Sequence, residues 1–196
     1  MAKSAATGFF LRGSLYGNIE PAAAVAFLID DSATVKAGDS ITLDSDGNAR
    51  RSAVGEAVLG IAVALTDLNG LNVFTPQAAG LTGSTLTEDD QIAVSSTNTT
   101  DATRNVKVLV QLDPAGCLLW YNDSSGTLAR TNLLNLFDVV SGGNQVDQST
   151  ASETSGQYQL IKIDPDGDGD ASKGLFRIAE PQLLGHVGNS TDIIPA

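Results

Sequence analysis

Short apolar runs, alternating or continuous and broken by Gly, Asp and Asn, follow one another along most of this chain, and residues 33–66 show the pattern most clearly. Ile41 and Leu43 alternate with Thr42 and Asp44, which predicts a strand with one face turned inward. Ser45, Asp46, Gly47 and Asn48 follow, residue types that accept tight-turn backbone conformations, and 57–65 then returns as a nearly all-apolar run. The pattern reads as strand, tight turn, buried strand. Nothing in it is shaped for catalysis.

The same grammar predicts strands at 25–29, 40–44, 57–66, 91–95, 105–113, 117–121, 136–140, 157–163 and 175–179, separated by Asp-Gly, Asn-Gly and Pro-containing breaks. Within 105–113, Val106, Val108 and Val110 fall on one face and Lys107, Leu109 and Gln111 on the other. Helix is confined to brief turns at 22–24 and 180–184, each beside a proline. The predicted fold is all-β with almost no helix: a β-sandwich or partly closed β-barrel behind an extended N-terminal arm at 1–20. The β domain spans 21–196, either as one unit or as two β lobes dividing near 83–105. Residues 83–105 and 141–157 are polar enough to read as long loops or projecting hairpins, the second with Val146 as its aliphatic anchor.

A chain of 196 residues is long enough to bury roughly 70% of the surface it exposes when unfolded. Its hydrophobic fraction is 42% but its aromatic fraction only 5%, so the core is expected to be layered aliphatic contact, with Trp120 filling it, and no ring-lined ligand pocket. A net charge of −12 with 11 Lys and Arg argues against nucleic acid as a partner, because phosphate affinity rests on cations displacing counterions. Arg50 and Arg51, the closest basic cluster, read as a solvated pair beside a turn. The acidic excess keeps like molecules apart, so an assembly contact has to be complementary in charge or strongly apolar. The first 18 residues lack the apolar core of a secretory signal and no run reaches the length of a membrane span. The expectation is a protein made and used without crossing a membrane.

Catalytic chemistry finds no constellation. Cys117 is the sole cysteine and reads as a small buried hydrophobe; His186 is the sole histidine, so neither a triad nor a histidine-rich metal site has a second anchor. No catalytic residue is assigned. The sharpest local motif is 164–170, where Asp164, Asp166, Asp168 and Asp170 alternate with Pro165, Gly167 and Gly169. Alternate carboxylates with glycine at the sixth position resemble the first half of a calcium loop, but the twelfth position, where a bidentate Glu belongs, is Leu175, and the flanks read as strands. An acidic hairpin turn is the plainer reading, with Asp164, Asp166, Asp168 and Asp170 as candidate cation ligands beside it. The arm carries Phe9, Phe10, Leu11, Leu15 and Tyr16, which either dock back on their own domain or reach a neighbour.

Strand order and turn placement resemble a known family. VAFLI at 25–29, VKAGD at 35–39, ITL at 41–43, an Asp-Gly turn and VLGIAV at 58–63 are similar to capsid decoration, or cement, proteins of tailed bacteriophages. NLLNLFDVV at 132–140, a polar Gly/Ser/Thr loop, YQLIKIDP at 158–165 and GLFRIAE at 174–180 resemble the barrel-like half of relatives from phages of aquatic bacteria. The resemblance spans most of 21–184 and implies a small β protein, made in the host cytoplasm, that joins the outside of an expanded head. There it would bind the major capsid protein as a homotrimer and hold the shell against internal DNA pressure, with no nucleic acid or membrane partner and no cofactor. Phe9, Phe10, Leu11, Leu15 and Tyr16 would form an inter-subunit strap. The alternative function is a carbohydrate-binding β module assisted by calcium at 164–170.

Overall fold

The computed structural model describes residues 8–15, 24–30, 33–66, 94–95 and 107–182. Over these residues the fold is all-β, with two open five-stranded antiparallel sheets and almost no helix. Twelve strands run in the order β1 (Phe10–Ser14), β2 (Ala24–Leu28), β3 (Thr34–Val35), β4 (Ser40–Leu43), β5 (Ala49–Arg51), β6 (Gly60–Thr66), β7 (Val94–Ser95), β8 (Lys107–Leu112), β9 (Leu118–Asp123), β10 (Leu136–Phe137), β11 (Tyr158–Ile163) and β12 (Lys173–Ile178). The first sheet has the order β1-β9-β12-β11-β10 and the second β2-β8-β6-β4-β5, while β3 and β7 form a separate pair. Helix is limited to single 3-10 turns at Arg130–Asn132 and Gln148–Thr150.

Neither sheet closes, which corrects the barrel alternative. The nearest approach to closure is in the second sheet, where Ile29 bridges Ala49 in parallel just beyond the end of β2. One bridge does not make a ladder, and among the described residues both edges stay open.

Strand faces follow the alternation of the sequence. Val25 pairs with Val110 and Phe27 with Val108, so the valines of β8 and the odd positions of β2 share a face. Val108 and Val110 are fully buried there with Ile41, Leu59, Ala62 and Leu65, in one of two cores. The other core lies under the first sheet and holds Trp120, Phe137, Tyr158, Leu160, Phe176 and Ile178. Val58 and Ile61, which belong to the second sheet's chain segment, are buried in this first core. The sheets thus share apolar contact.

Buried polar side chains stitch the same seam. Gln157, on the lead-in to β11, accepts from the Val139 amide at 2.9 Å and donates to the carbonyls of Ala53 and Glu56 at 2.9 and 2.6 Å. Gln182 both accepts from and donates to the backbone of Leu43, at 2.9 and 3.1 Å, where β4 runs on past its short pairing with β6. Tyr158 Oη lies 2.6 Å from Ser40 Oγ, which reaches Ser52 Oγ at 3.1 Å. Each bond satisfies a group whose burial would otherwise cost about 1–3 kcal/mol. The seam is therefore specified by geometry as well as by apolar area.

Several sequence expectations change here. The tight turn at 44–48 returns as β5, with Leu43 facing Ala49, and not as the apolar run 57–65, which pairs on the other side of β4. Arg50 and Arg51 are not merely solvated: Arg50 makes a two-pronged ion pair with Glu56 at 2.8 and 2.6 Å, and Arg51 Nε meets the buried Asp39 at 2.8 Å. Residues 141–157 do not project. Val146 is fully buried, Val139 bridges Val146, and the Gly143 carbonyl accepts from Ser40. Cys117 is partly exposed, because it lies in the turn that leads into β9, where its thiol sits beside the Ala115 carbonyl. The chain passes from the second sheet to the first at the turn 113–116; apart from Val94 and Ser95, the predicted boundary region 83–105 lies outside the described residues, as does His186.

Candidate functional site

The N-terminal segment was the first candidate, and its described part is a strand of the first sheet. Phe10 faces Tyr121 and Leu11 faces Trp120 across the β1–β9 ladder, with a bulge at Arg12. Gly8 and Gly38 allow the entry: both have positive φ, and a Cβ on either would lie 3.0 Å from the other's Cα. That approach lets the Phe9 amide donate to the Gly38 carbonyl at 2.8 Å. Asn122 Nδ2 holds the Gly8 carbonyl at 2.9 Å. Phe9 is buried in the core of its own chain, 2% exposed, and Leu11 packs against the same core. Phe10 is half-buried on the outer face and Leu15 is exposed. The five strap candidates therefore divide: Phe9 and Leu11 dock on their own domain, Phe10 and Leu15 remain accessible, and Tyr16 lies outside the described residues.

The acidic turn is the second candidate, and its carboxylates are occupied. Asp164, at φ 45°, accepts from the Asp168 and Gly169 amides at 3.0 and 2.9 Å. Asp168 accepts from the Asp170 amide at 3.0 Å, and Asp170 from the Ser172 amide at 3.0 Å and its hydroxyl at 2.6 Å. Lys173 Nζ contacts Asp168 and stands 3.5 Å from Asp170. Asp166 turns away toward Arg12 at 3.5 Å. Hydrogen bonds from Lys173 and the Asp170 amide hold Asp168 below the usual carboxylate range, and those from Ser172 do the same for Asp170. Backbone amides and one ammonium take the place a cation would need. Among the described residues no group of three or more His, Cys, Asp or Glu is arranged to hold a metal.

A third feature escaped the pattern reading. Residues 129–135 form a tight loop in which the Asn132 amide donates to Ala129, Leu133 to Arg130, Asn135 to Asn132 and Leu134 to Leu160. Asn132 Oδ1 accepts from the Ala129 amide at 2.8 Å, and Gln159 Nε2 donates to the Leu134 carbonyl at 2.9 Å. This network holds Leu134 at φ 68°, a left-handed conformation that bulky side chains avoid. Its side chain is 65% exposed and that of Leu133 41%. Two adjacent apolar residues between Asn132 and Asn135 were the signal available in the sequence.

No helix among the described residues is long and apolar enough to cross a membrane. Comparison with protein-family models, with curated proteins and with solved structures finds no match.

Proposed function

We propose that this chain is a structural virion protein: a capsid decoration protein that binds the major capsid protein on the outside of an expanded phage head, as a homotrimer, and braces the shell. It is made in the host cytoplasm and acts by binding, without turnover. In this reading the two open sheets work as one sandwich-like slab. The observation that carries it is the seam, where Gln157 and Gln182, through part-buried bonds, and the buried Tyr158–Ser40–Ser52 hydroxyl chain join the sheets with specific geometry. A body stitched in this way resists shear between its layers, which is what a clamp between neighbouring capsid subunits requires. The resemblance in strand order supplies the shell as the partner.

An external clamp stabilises by linkage: copies that bind only the expanded lattice shift its equilibrium by their differential affinity. Several contacts around one ring raise each other's effective concentration, so individually weak contacts suffice. The test compares particles assembled with and without the protein under heat and osmotic shock. Earlier DNA release from particles lacking it supports the reading, and equal survival overturns it.

A further inference from the structure

We propose that the loop 129–135 is a preformed docking knob for a second copy of this chain, with Leu134 and Leu133 as its apolar anchors and Arg130 as its charged one. This goes beyond the capsid reading, which names a homotrimer and an N-terminal strap but no part for this loop. The first argument is strain against use. A leucine at positive φ costs the folded chain, and Gly or Asn would serve the turn better. Burial could offset such a cost, yet the Leu134 side chain points into solvent. Its apolar surface is thus unused within the described fold.

The second argument is rigidity. Amide donors of Asn132, Leu133, Leu134 and Asn135 are all bonded, and Gln159 holds the Leu134 carbonyl from the neighbouring strand. The loop is ordered before any partner arrives, so docking pays little ordering entropy. Arg130 belongs to the residue types that dominate protein interfaces, and the two leucines beside it add apolar area to bury.

The third argument selects the partner. Arg130 is exposed and its guanidinium makes no ion pair among the described residues. The chain as a whole carries −12, with 23 acidic against 11 basic side chains. A second copy therefore presents an acid-rich surface to a cationic, apolar knob, while elsewhere the two copies repel. A self-contact on this chain has to be apolar or complementary in charge, and the loop offers both.

Sedimentation equilibrium of the full-length chain, from micromolar to about millimolar protein, tests the proposal. Wild type is expected to self-associate. Leu134→Asn, which suits the left-handed backbone and so preserves the fold, should lower the association constant at least about tenfold without lowering the melting temperature. Arg130→Glu should weaken association, most of all at low salt where the added repulsion is least screened. A monomeric wild type throughout the range, or Leu134→Asn associating as wild type does, overturns the proposal. A monomer that still protects particles would remove this contact and leave the brace standing.

Discussion

Phe9 stacks on Tyr158, with ring centroids 4.5 Å apart and planes 18° from parallel. The pair joins the N-terminal strand to the middle of the seam, because the same tyrosine carries its hydroxyl to Ser40 in the second sheet. A terminal edge strand is normally the part of a fold most prone to fray. Here it is pinned by an aromatic pair worth about 0.5–1.5 kcal/mol beyond its area burial.

Phe9→Ala should therefore destabilise the chain by about 3–5 kcal/mol, the usual cost of emptying a buried phenylalanine site. Tyr158→Phe keeps the ring and removes only the Ser40 bond, for a loss of about 1 kcal/mol. Urea unfolding gives both values, and amide exchange across β1 should quicken in the first variant far more than in the second. Equal effects would show that the hydroxyl, and not the ring stack, fixes the strand.

Gln157 offers a sharper test of the seam. Gln157→Leu leaves the buried Val139 amide and the part-buried Ala53 and Glu56 carbonyls without their partner. A loss of about 3 kcal/mol or more is expected. Gln157→Glu sets a carboxylate oxygen against two carbonyls, so its stability should recover as the pH falls and the acid becomes protonated. Denaturant midpoints at two pH values separate the variants, since the leucine chain has no group to titrate at that position.

Much of this architecture was legible in the sequence because alternation and turn chemistry are local. Val108 and Val110 announced their buried face, and Trp120 its place in the core. What was not legible depended on partners distant in sequence. Strand β1 has a bulge at Arg12 that interrupts its alternation, and its place in the sheet is set by β9, more than a hundred residues on. Arg50 and Arg51 looked solvated because Glu56 and Asp39 reach them only after β4 and β5 pair. The run 141–157 looked like a loop because, besides the buried Val146, its anchoring comes from the Asn122 side chain and the Gly143 carbonyl, whose partners are distant in sequence. At the candidate sites, the acidic turn was visible as a motif, but the lysine that fills it was not. The strain at Leu134 is a backbone property with no residue signature except the oddity of leucine in a turn.

Calcium should leave the melting temperature unchanged at millimolar concentration. The carboxylates of Asp164, Asp168 and Asp170 already accept from loop amides, and Lys173 adds a resident cation. Differential scanning calorimetry with calcium and with a chelator checks this. A rise in melting temperature that saturates with calcium would mean that the ion displaces the ammonium, and the acidic turn would then be a cation site.

Acidification should first stabilise the chain. Burial raises the carboxyls of Asp39, Asp113 and Asp123 above their ordinary value of 3.8 despite hydrogen bonds and cations that pull the other way. A carboxyl with a higher pKa folded than unfolded takes up its proton first in the native state. Its contribution to stability therefore grows as the pH falls through the folded pKa, and is complete below the unfolded one. Loss of negative charge from a −12 chain acts in the same direction. Glu56 opposes them: its pairing with Arg50 and the Ala53 amide outweighs burial and holds it below 4.5, so its contribution is lost only at lower pH. Unfolding free energy should rise as the pH falls through the raised range of Asp39, Asp113 and Asp123, and decline in stronger acid as Glu56 takes up its proton. Asp113→Asn should lower stability at every pH, since the new amide meets the Cys117 and Leu118 amides and the Trp120 indole, all donors. It should also flatten the rise, and a wild-type profile that falls steadily from pH 7 would contradict the raised carboxyls.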